Sequence, residues 1–365
     1  MKPASPMTVC DADSTIAQTP IVREKPYLYH DGTQYAVFVP SLRANSAGIT
    51  WASGATAGTS VSIDQFYVAK AGTDNAATIN AALAQGKHLL LTPGVYNLTD
   101  TIRVTNANTI VLGLGFATLK PTTGLAAMTV ADVDGVVLAG LLFDAGATNS
   151  PVLLEVGPSG SSASHAANPT SLHDLFFRVG GAAAGKATVS LRINSSNVIG
   201  DHFWIWRADH GTGVAWTSNT ATNGLVVNGS NVTIYGLFVE HYQQYQTLWN
   251  GNGGRVYFYQ SELPYDPPNQ SSWTSGSGVN GWASYKVASS VTSHEAWGLG
   301  IYAVFTNGGV NLDNAIESPT NGAARFHDMV TVSIVSNGQI THIINGTGGT
   351  ATPNVSSVPR LTSYP

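Results

Sequence analysis

Charge is what this 365-residue sequence has least of. Asp, Glu, Lys and Arg together make up 10% of it, against about a quarter in an ordinary soluble domain. The deficit does not mean disorder, because 43% of the residues are hydrophobic and they are spread along the whole chain. Solubility must come from Ser, Thr, Asn and Gly, which suits a β-rich surface facing neutral, hydroxyl-rich partners. The formal net charge is −5 and no Lys/Arg cluster stands out, which argues against nucleic acid and anionic membranes as partners. Cys10 is the single cysteine, so no internal disulfide forms. No apolar run is long enough to span a membrane. Met1-Lys-Pro-Ala-Ser-Pro6 lacks the apolar centre of a signal peptide. His294-Glu295 and His327-Asp328 have no further His or Cys at metal-ligand spacing, so neither a metal nor another cofactor is expected. Gly251-Asn-Gly-Gly254 lacks the following Lys-Ser/Thr and helix of a phosphate loop and reads as a tight turn.

What is present is a succession of short apolar strands. Residues 1–60 read as an irregular, linker-like segment with one small hairpin, Thr19–Tyr29 and Tyr35–Pro40 around Asp31-Gly32, and a polar loop over 48–60. Asp74 is placed to cap a short helix that shows Ile79 and Leu83 on one face and ends at Gly86. His88-Leu-Leu-Leu91 then reads as a buried strand closed by Pro93-Gly94. A helix and strand in this order would cover the open end of a stack of β-coils, whose core and strand edges must not face water. From there the theme is strand, Gly or Asn turn, strand. Phe143, Phe177, Trp204 and Phe238 mark it at intervals of 34, 27 and 34 residues. Long, irregular spacing without hairpin signals predicts an all-β solenoid over 61–365, a single parallel β-helix with a short N-terminal capping helix. A β-sandwich is the alternative on pattern alone.

Two of these strands end in a carboxylate, Glu240 and Glu262, and 262 − 240 = 22 residues is one coil length. Period-two alternation turns Phe203 and Ile205 inward and His202, Trp204 and Trp206 outward. It turns Tyr235, Leu237 and Val239 inward, with Phe238 and Glu240 outward, and puts Phe258, Gln260 and Glu262 on the same outer face. Registering the strand ends stacks Trp206, Glu240 and Glu262. Just beyond them lie Asp209 and His210, Gln243 and Gln244, and Tyr265 and Asp266. One of Trp204 and Trp206 is expected beneath a loop. A lone Glu at a strand end is ordinarily a solvated edge charge. Two stacked beside outward aromatics in so uncharged a chain form the pair that glycosidic hydrolysis needs, and aromatic faces with amides and carboxylates recognise sugars. Ser261 has no His that the sequence places in reach, which argues against serine nucleophile chemistry.

Three stretches carry a resemblance: Ile199-Gly-Asp-His-Phe-Trp-Ile-Trp-Arg-Ala-Asp-His-Gly211, Tyr235-Gly-Leu-Phe-Val-Glu-His-Tyr242 and Tyr257-Phe-Tyr-Gln-Ser-Glu-Leu-Pro-Tyr-Asp-Pro267. With Thr19-Pro-Ile-Val-Arg-Glu-Lys-Pro26 and His294-Glu-Ala-Trp-Gly-Leu-Gly-Ile-Tyr302 they resemble glycoside hydrolase family 55, the β-1,3-glucanases, from about Thr19 onward. The resemblance implies a right-handed, pectate-lyase-like β-helix and inverting hydrolysis of laminarin-type β-1,3-glucan, outside the cell. It implies Glu262 as general acid, its proton held by burial or by the neighbouring carboxylate, and Glu240 as the group that positions or activates water. Trp206, Asp209, His210 and Tyr265 would line the sugar subsites. The chain resembles only the C-terminal β-helix half of a family member. The other reading is therefore a non-catalytic glucan-binding half, a partner for a complementary N-terminal β-helix that completes the water site. A trimeric tailspike and a Ca²⁺-dependent lyase on the same fold lack supporting motifs.

Overall fold

The computed structural model describes residues 16–48, 54, 56–334, 337–353 and 357–365; Met1–Pro6 and Cys10 lie outside them. The described residues are all-β apart from one helix and two short 3-10 turns. Two sheets dominate among the described residues, one of nine parallel strands and one of twelve, parallel except for its edge strand Arg360–Tyr364. From Ile102–Val104 to Ile340–Ile344 successive strands alternate between these sheets, interrupted by a small antiparallel ribbon, Thr274–Gly276 with Val279–Asn280. Each strand therefore pairs with one a whole coil away in sequence, never with its immediate neighbour.

Register is set by what each residue buries. In the longer sheet Leu141, Leu175, Phe203, Leu237, Tyr259, Leu299 and Met329 lie directly one above another, and all are buried. Phe143 and Phe177 form the next column with rings stacked 4.9 Å apart. A one-residue slip would turn every member of these columns to solvent, so the pattern itself fixes the pairing. At the turns, Asn108, Asn197 and Asn231 adopt left-handed φ of 55–60°, the conformation Asn tolerates at least cost among non-glycine residues. A neighbouring column passes amide bonds from coil to coil, Asn250 to Asn228 at 2.8 Å and Asn228 to Asn194 at 2.7 Å. The Asn-rich composition is thus spent on turn chemistry.

A second left-handed column runs through the middle of the longer sheet: Gly140, Asp174, His202, Gly236, Phe258, Gly298 and Asp328, with φ between 47° and 68°. It bends each strand and resets the alternation, which corrects one inward assignment. Tyr235 lies on the outer face rather than in the core, in a ladder of parallel rings Tyr235, Tyr257, Trp297 and His327, 4.6–5.3 Å apart.

The helix is Ala76–Ala84, with Ile79 and Leu83 buried against the first strands. Its cap is Asn75, whose side chain accepts from the Ala77 and Thr78 amides. Asp74, one residue earlier, instead accepts from Tyr67, Thr78 and the Lys70 amide. The apolar run His88–Leu91 is buried on both faces: Leu89 and Leu91 enter the main core, and Leu90 enters a second cluster. That second cluster is made by the N-terminal segment, more ordered than an irregular stretch. Tyr27–His30, Tyr35–Pro40 and Gly58–Ser62 form a three-stranded antiparallel sheet, the last of these falling in the stretch expected as loop. Its Val37 is fully buried among Phe66, Ile110, Leu112 and Val137. Before it, the chain crosses the outside of the longer sheet, pinned where Tyr235 donates to the Ile21 carbonyl, Arg23 to the Pro169 carbonyl, and Lys25 to Asp174. Among the described residues no helix is long and apolar enough to cross a membrane.

Candidate active site

The strands Ile199–Arg207, Thr233–Glu240 and Gly254–Glu262 are consecutive in the longer sheet and end together. Trp206 pairs with Glu240, and Glu240 with Glu262. These three lie side by side as the alternation requires, because Ile205, Val239 and Ser261 between them face the core. The backbones are one strand spacing apart, about 4.8 Å. The two carboxylates are held from different sides. Glu240 Oε2 accepts from Trp204 Nε1 at 2.8 Å, whereas Glu262 Oε2 accepts from the Tyr265 hydroxyl. Gln260 Nε2 lies 3.5 Å from Glu262 Oε1.

Neither tryptophan is hidden under a loop. Trp204 and Trp206 stack 5.4 Å apart with 21° between their planes, and His210 leans on Trp206 with ring centres 5.4 Å apart. Asp209 Oδ1 lies 3.0 Å from His210 Nδ1. The amide Gln243 turns away from this patch, accepting from the Ala221 amide and donating to the Trp216 carbonyl. Asp266 is also withdrawn: Arg207, with no exposed side-chain surface, grips both its oxygens at 2.8 and 2.9 Å. Of the six residues expected to form the site, the structure brings Trp206, Glu240, Glu262, Asp209, His210 and Tyr265 into one outer patch. It adds Trp204, Gln260 and His241. His241 is buried behind Glu262, with its ring edge-on to Tyr265 at 4.4 Å. Its position directly after Glu240 is the signal that could have found it.

Burial drives the Glu240 carboxyl up to about 7. The Trp204 hydrogen bond pulls it down, and the charge on Glu262 adds to the rise. The raised carboxyl of Glu240 sits on the residue expected to handle water. Folding therefore favours the protonated form of Glu240. The stability this gives is complete below its ordinary value of 4.5 and is lost as the pH rises through about 7. Glu240→Gln, which never carries the charge, is expected to melt above wild type at pH 8 and to lose that advantage at pH 4. A difference independent of pH in parallel calorimetric scans would contradict the buried-carboxyl assignment. Among the described residues no group of three or more His, Cys, Asp or Glu is gathered as for a metal ion.

A family model described as the LAM55 pectate lyase-like domain matches residues 66–262, a span that contains both glutamates. The chain belongs to this family, glycoside hydrolase family 55. A curated relative, an exo-beta-1,3-glucanase of Streptomyces sp. (strain SirexAA-E / ActE), is 48% identical over 353 residues, 96% of this chain and 58% of that protein. The structure of sacteLam55A from Streptomyces sp. SirexAA-E superposes with a TM-score of 0.93 at 48% identity, over 95% of this chain and 63% of that one. A variant of sacteLam55A in complex with glucose matches to the same extent. This family 55 chain thus spans about three-fifths of the length of the relatives it matches.

Proposed function

We propose that this chain carries the catalytic acids of a β-1,3-glucan hydrolase that inverts configuration, folded over residues 61–365 as one right-handed parallel β-helix behind the linker-like segment 1–60. The observation that carries the proposal is the register of Glu240 against Glu262, each carboxylate tethered to a different neighbour. Inversion needs two carboxyls about 6.5–9.5 Å apart with a water between them and the sugar, and tethers on different sides favour such splaying. Glu262 gives its proton to the glycosidic oxygen as the bond to the anomeric carbon breaks. A water attacks that carbon from the opposite face and passes its proton to Glu240. Trp206 and Tyr265 provide the sugar platform, and Asp209 and His210 take hydroxyls. The Streptomyces relative is an exo-beta-1,3-glucanase and a sacteLam55A variant holds glucose, so release of single glucose units from laminarin-type chains outside the cell is the matching expectation here.

The raised carboxyl of Glu240 favours a second reading, in which the two acids exchange roles and Glu240 delivers the proton. The short span relative to the relatives favours a third, in which this chain binds glucan and a complementary N-terminal β-helix half supplies the remaining contacts to water. The first test is incubation of the chain with laminarin while the product is followed by NMR. Glucose appearing first as the α-anomer supports inversion by this chain alone. The β-anomer would overturn inversion. Binding without turnover would move the activity to the assembled pair.

A further inference from the structure

The group that the reading above leaves unused is His241. It is 3% exposed, and as a non-glycine residue at φ 67° it holds a conformation that costs about 1–2 kcal/mol. Three contacts over-determine it. Its backbone N–H donates to the Glu262 carbonyl at 2.8 Å, its own carbonyl accepts from Arg207 at 3.1 Å, and its ring Nδ1 lies 3.0 Å from the Leu263 carbonyl. A carbonyl only accepts, so Nδ1 carries the ring proton. The other nitrogen of the neutral ring, Nε2, is then a bare lone pair. It stands 3.9 Å from Glu262 Oε2 and 4.0 Å from Asp209 Oδ1, distances beyond a direct hydrogen bond. Burial holds the imidazole below its ordinary pKa, against the opposing pull of Asp209 and Glu262, so the ring is neutral near pH 7.

Resting on the glucan-hydrolase reading, we propose that His241 is a positioning and specificity residue of this site: its Nε2 accepts the proton of one sugar hydroxyl beside Asp209 Oδ1 and Glu262 Oε2, while its ring fixes Tyr265 against Glu262. A buried Nε2 lone pair disfavours a ligand that brings no donor there, because a buried acceptor left unpaired costs free energy that a packed methylene does not restore. The site is therefore selective for a free hydroxyl at one ring position of the glucosyl unit. The groups facing the imidazole are Asp209, Glu262 and the Tyr265 hydroxyl, with the Arg207–Asp266 pair behind its backbone. Of these only the two carboxylates bear on Nε2 directly. When the ring protonates, Nε2 becomes a donor and no longer offers a lone pair to the sugar hydroxyl. Affinity should fall at acidic pH for this reason.

Two measurements on the full chain decide the matter. The first needs no activity: ¹⁵N NMR of the histidine rings in the free protein. Nδ1 protonated and Nε2 bare at pH 7, with protonation only at lower pH and lower still in Asp209→Asn, is the expected result. An Nε2–H tautomer, or a titration that ignores Asp209→Asn, overturns the proposal even if laminarin is hydrolysed. The second is calorimetric binding of laminaritriose. His241→Asn retains a donor toward Leu263 but has no acceptor at the Nε2 position, and should bind about tenfold more weakly. His241→Gln, which can place an amide oxygen near Nε2, should recover part of that loss, and both should flatten the acid limb of the affinity profile. A purely structural histidine would lower melting temperature in both variants while leaving the acid limb in place, which would refute the proposal. If no oligosaccharide binds to wild type, the function assignment fails, and the NMR tautomer still decides whether Nε2 is a bare acceptor.

Discussion

Glu262→Gln should lower turnover of laminarin by about 10²–10⁴-fold, the range that one general acid contributes, with little change in oligosaccharide affinity. The amide keeps the volume and still meets the Tyr265 hydroxyl, so the fold and the platform of Trp206 survive while the transferable proton is gone. The loss should depend on the leaving group. An aryl β-glucoside with an acidic phenol departs without protonation, and on it the variant should approach wild type. Glu240→Gln should behave oppositely: slow on both substrates, because water activation is needed whatever leaves, and partly restored by a small anionic nucleophile such as azide. The arrangement of tethers makes the distinction sharp. Trp204 holds Glu240 and Tyr265 holds Glu262, so neither variant frees the other acid to swing across. If the aryl substrate rescues Glu240→Gln instead, the roles are exchanged, as the carboxyl near 7 at Glu240 would allow. If neither variant changes turnover, the chemistry lies elsewhere.

Period-two alternation and the 22-residue interval between Glu240 and Glu262 carried most of what could be read beforehand. Both work because a stacked strand must bury every second residue and must return after a whole coil. Where the rule ran out, the cause was local. At Gly236 and its column-mates a left-handed residue sits inside each strand, and the side chains before it change face. Glycine at 140, 236 and 298 leaves a trace of this in the sequence. His202 and Phe258 adopt the same φ with no such trace; Tyr235, just before Gly236, stacks outside although unbroken alternation turns it inward. The helix cap shifted by one residue because Asp74 and Asn75 are both competent caps, and Asp74 is drawn off by Tyr67 and the Lys70 amide.

The site was legible to the extent that it lies on strands. Trp206, Glu240 and Glu262 follow from register alone. The residues beyond the strand ends were harder, since backbone pairing no longer dictates their direction. Asp209 and Tyr265 turn toward the glutamates. Gln243 turns to the Trp216 carbonyl, and Asp266 turns into the protein to meet a buried guanidinium. Alternation turns Arg207, two residues after Ile205, inward, but nothing in the spacing announces the carboxylate that meets it there. In a chain with so few charges, an arginine at a strand end reads as solvated, and the carboxylate that compensates it lies 59 residues away.

That pair, a fully buried guanidinium and a half-buried carboxylate, carries the second large effect. Arg207 uses its guanidinium on both Asp266 oxygens, on the Asn219 carbonyl at 2.9 Å and on the His241 carbonyl at 3.1 Å, with the Trp216 ring 5.5 Å away. It thereby ties together the segments that follow all three site strands. Asp266→Ala leaves this cation enclosed with no counter-charge, a change that costs about 3–5 kcal/mol where a buried pair is broken from one side. Calorimetry should show the melting midpoint falling by several degrees. Asp266→Asn, which keeps one acceptor, should fall less. Because Asp266 adjoins Tyr265, the same variants should also loosen the hydrogen bond to Glu262 and lower kcat more than they raise KM, a split that general destabilisation below the melting point would not produce. An Asp266→Ala protein that melts with wild type would mean that the guanidinium reaches water or another anion when released, and that the loops beyond the glutamates are held by their backbone bonds alone. A normal kcat in a destabilised variant would separate the two roles, leaving Arg207 to the fold and the orientation of Glu262 to Tyr265 and His241.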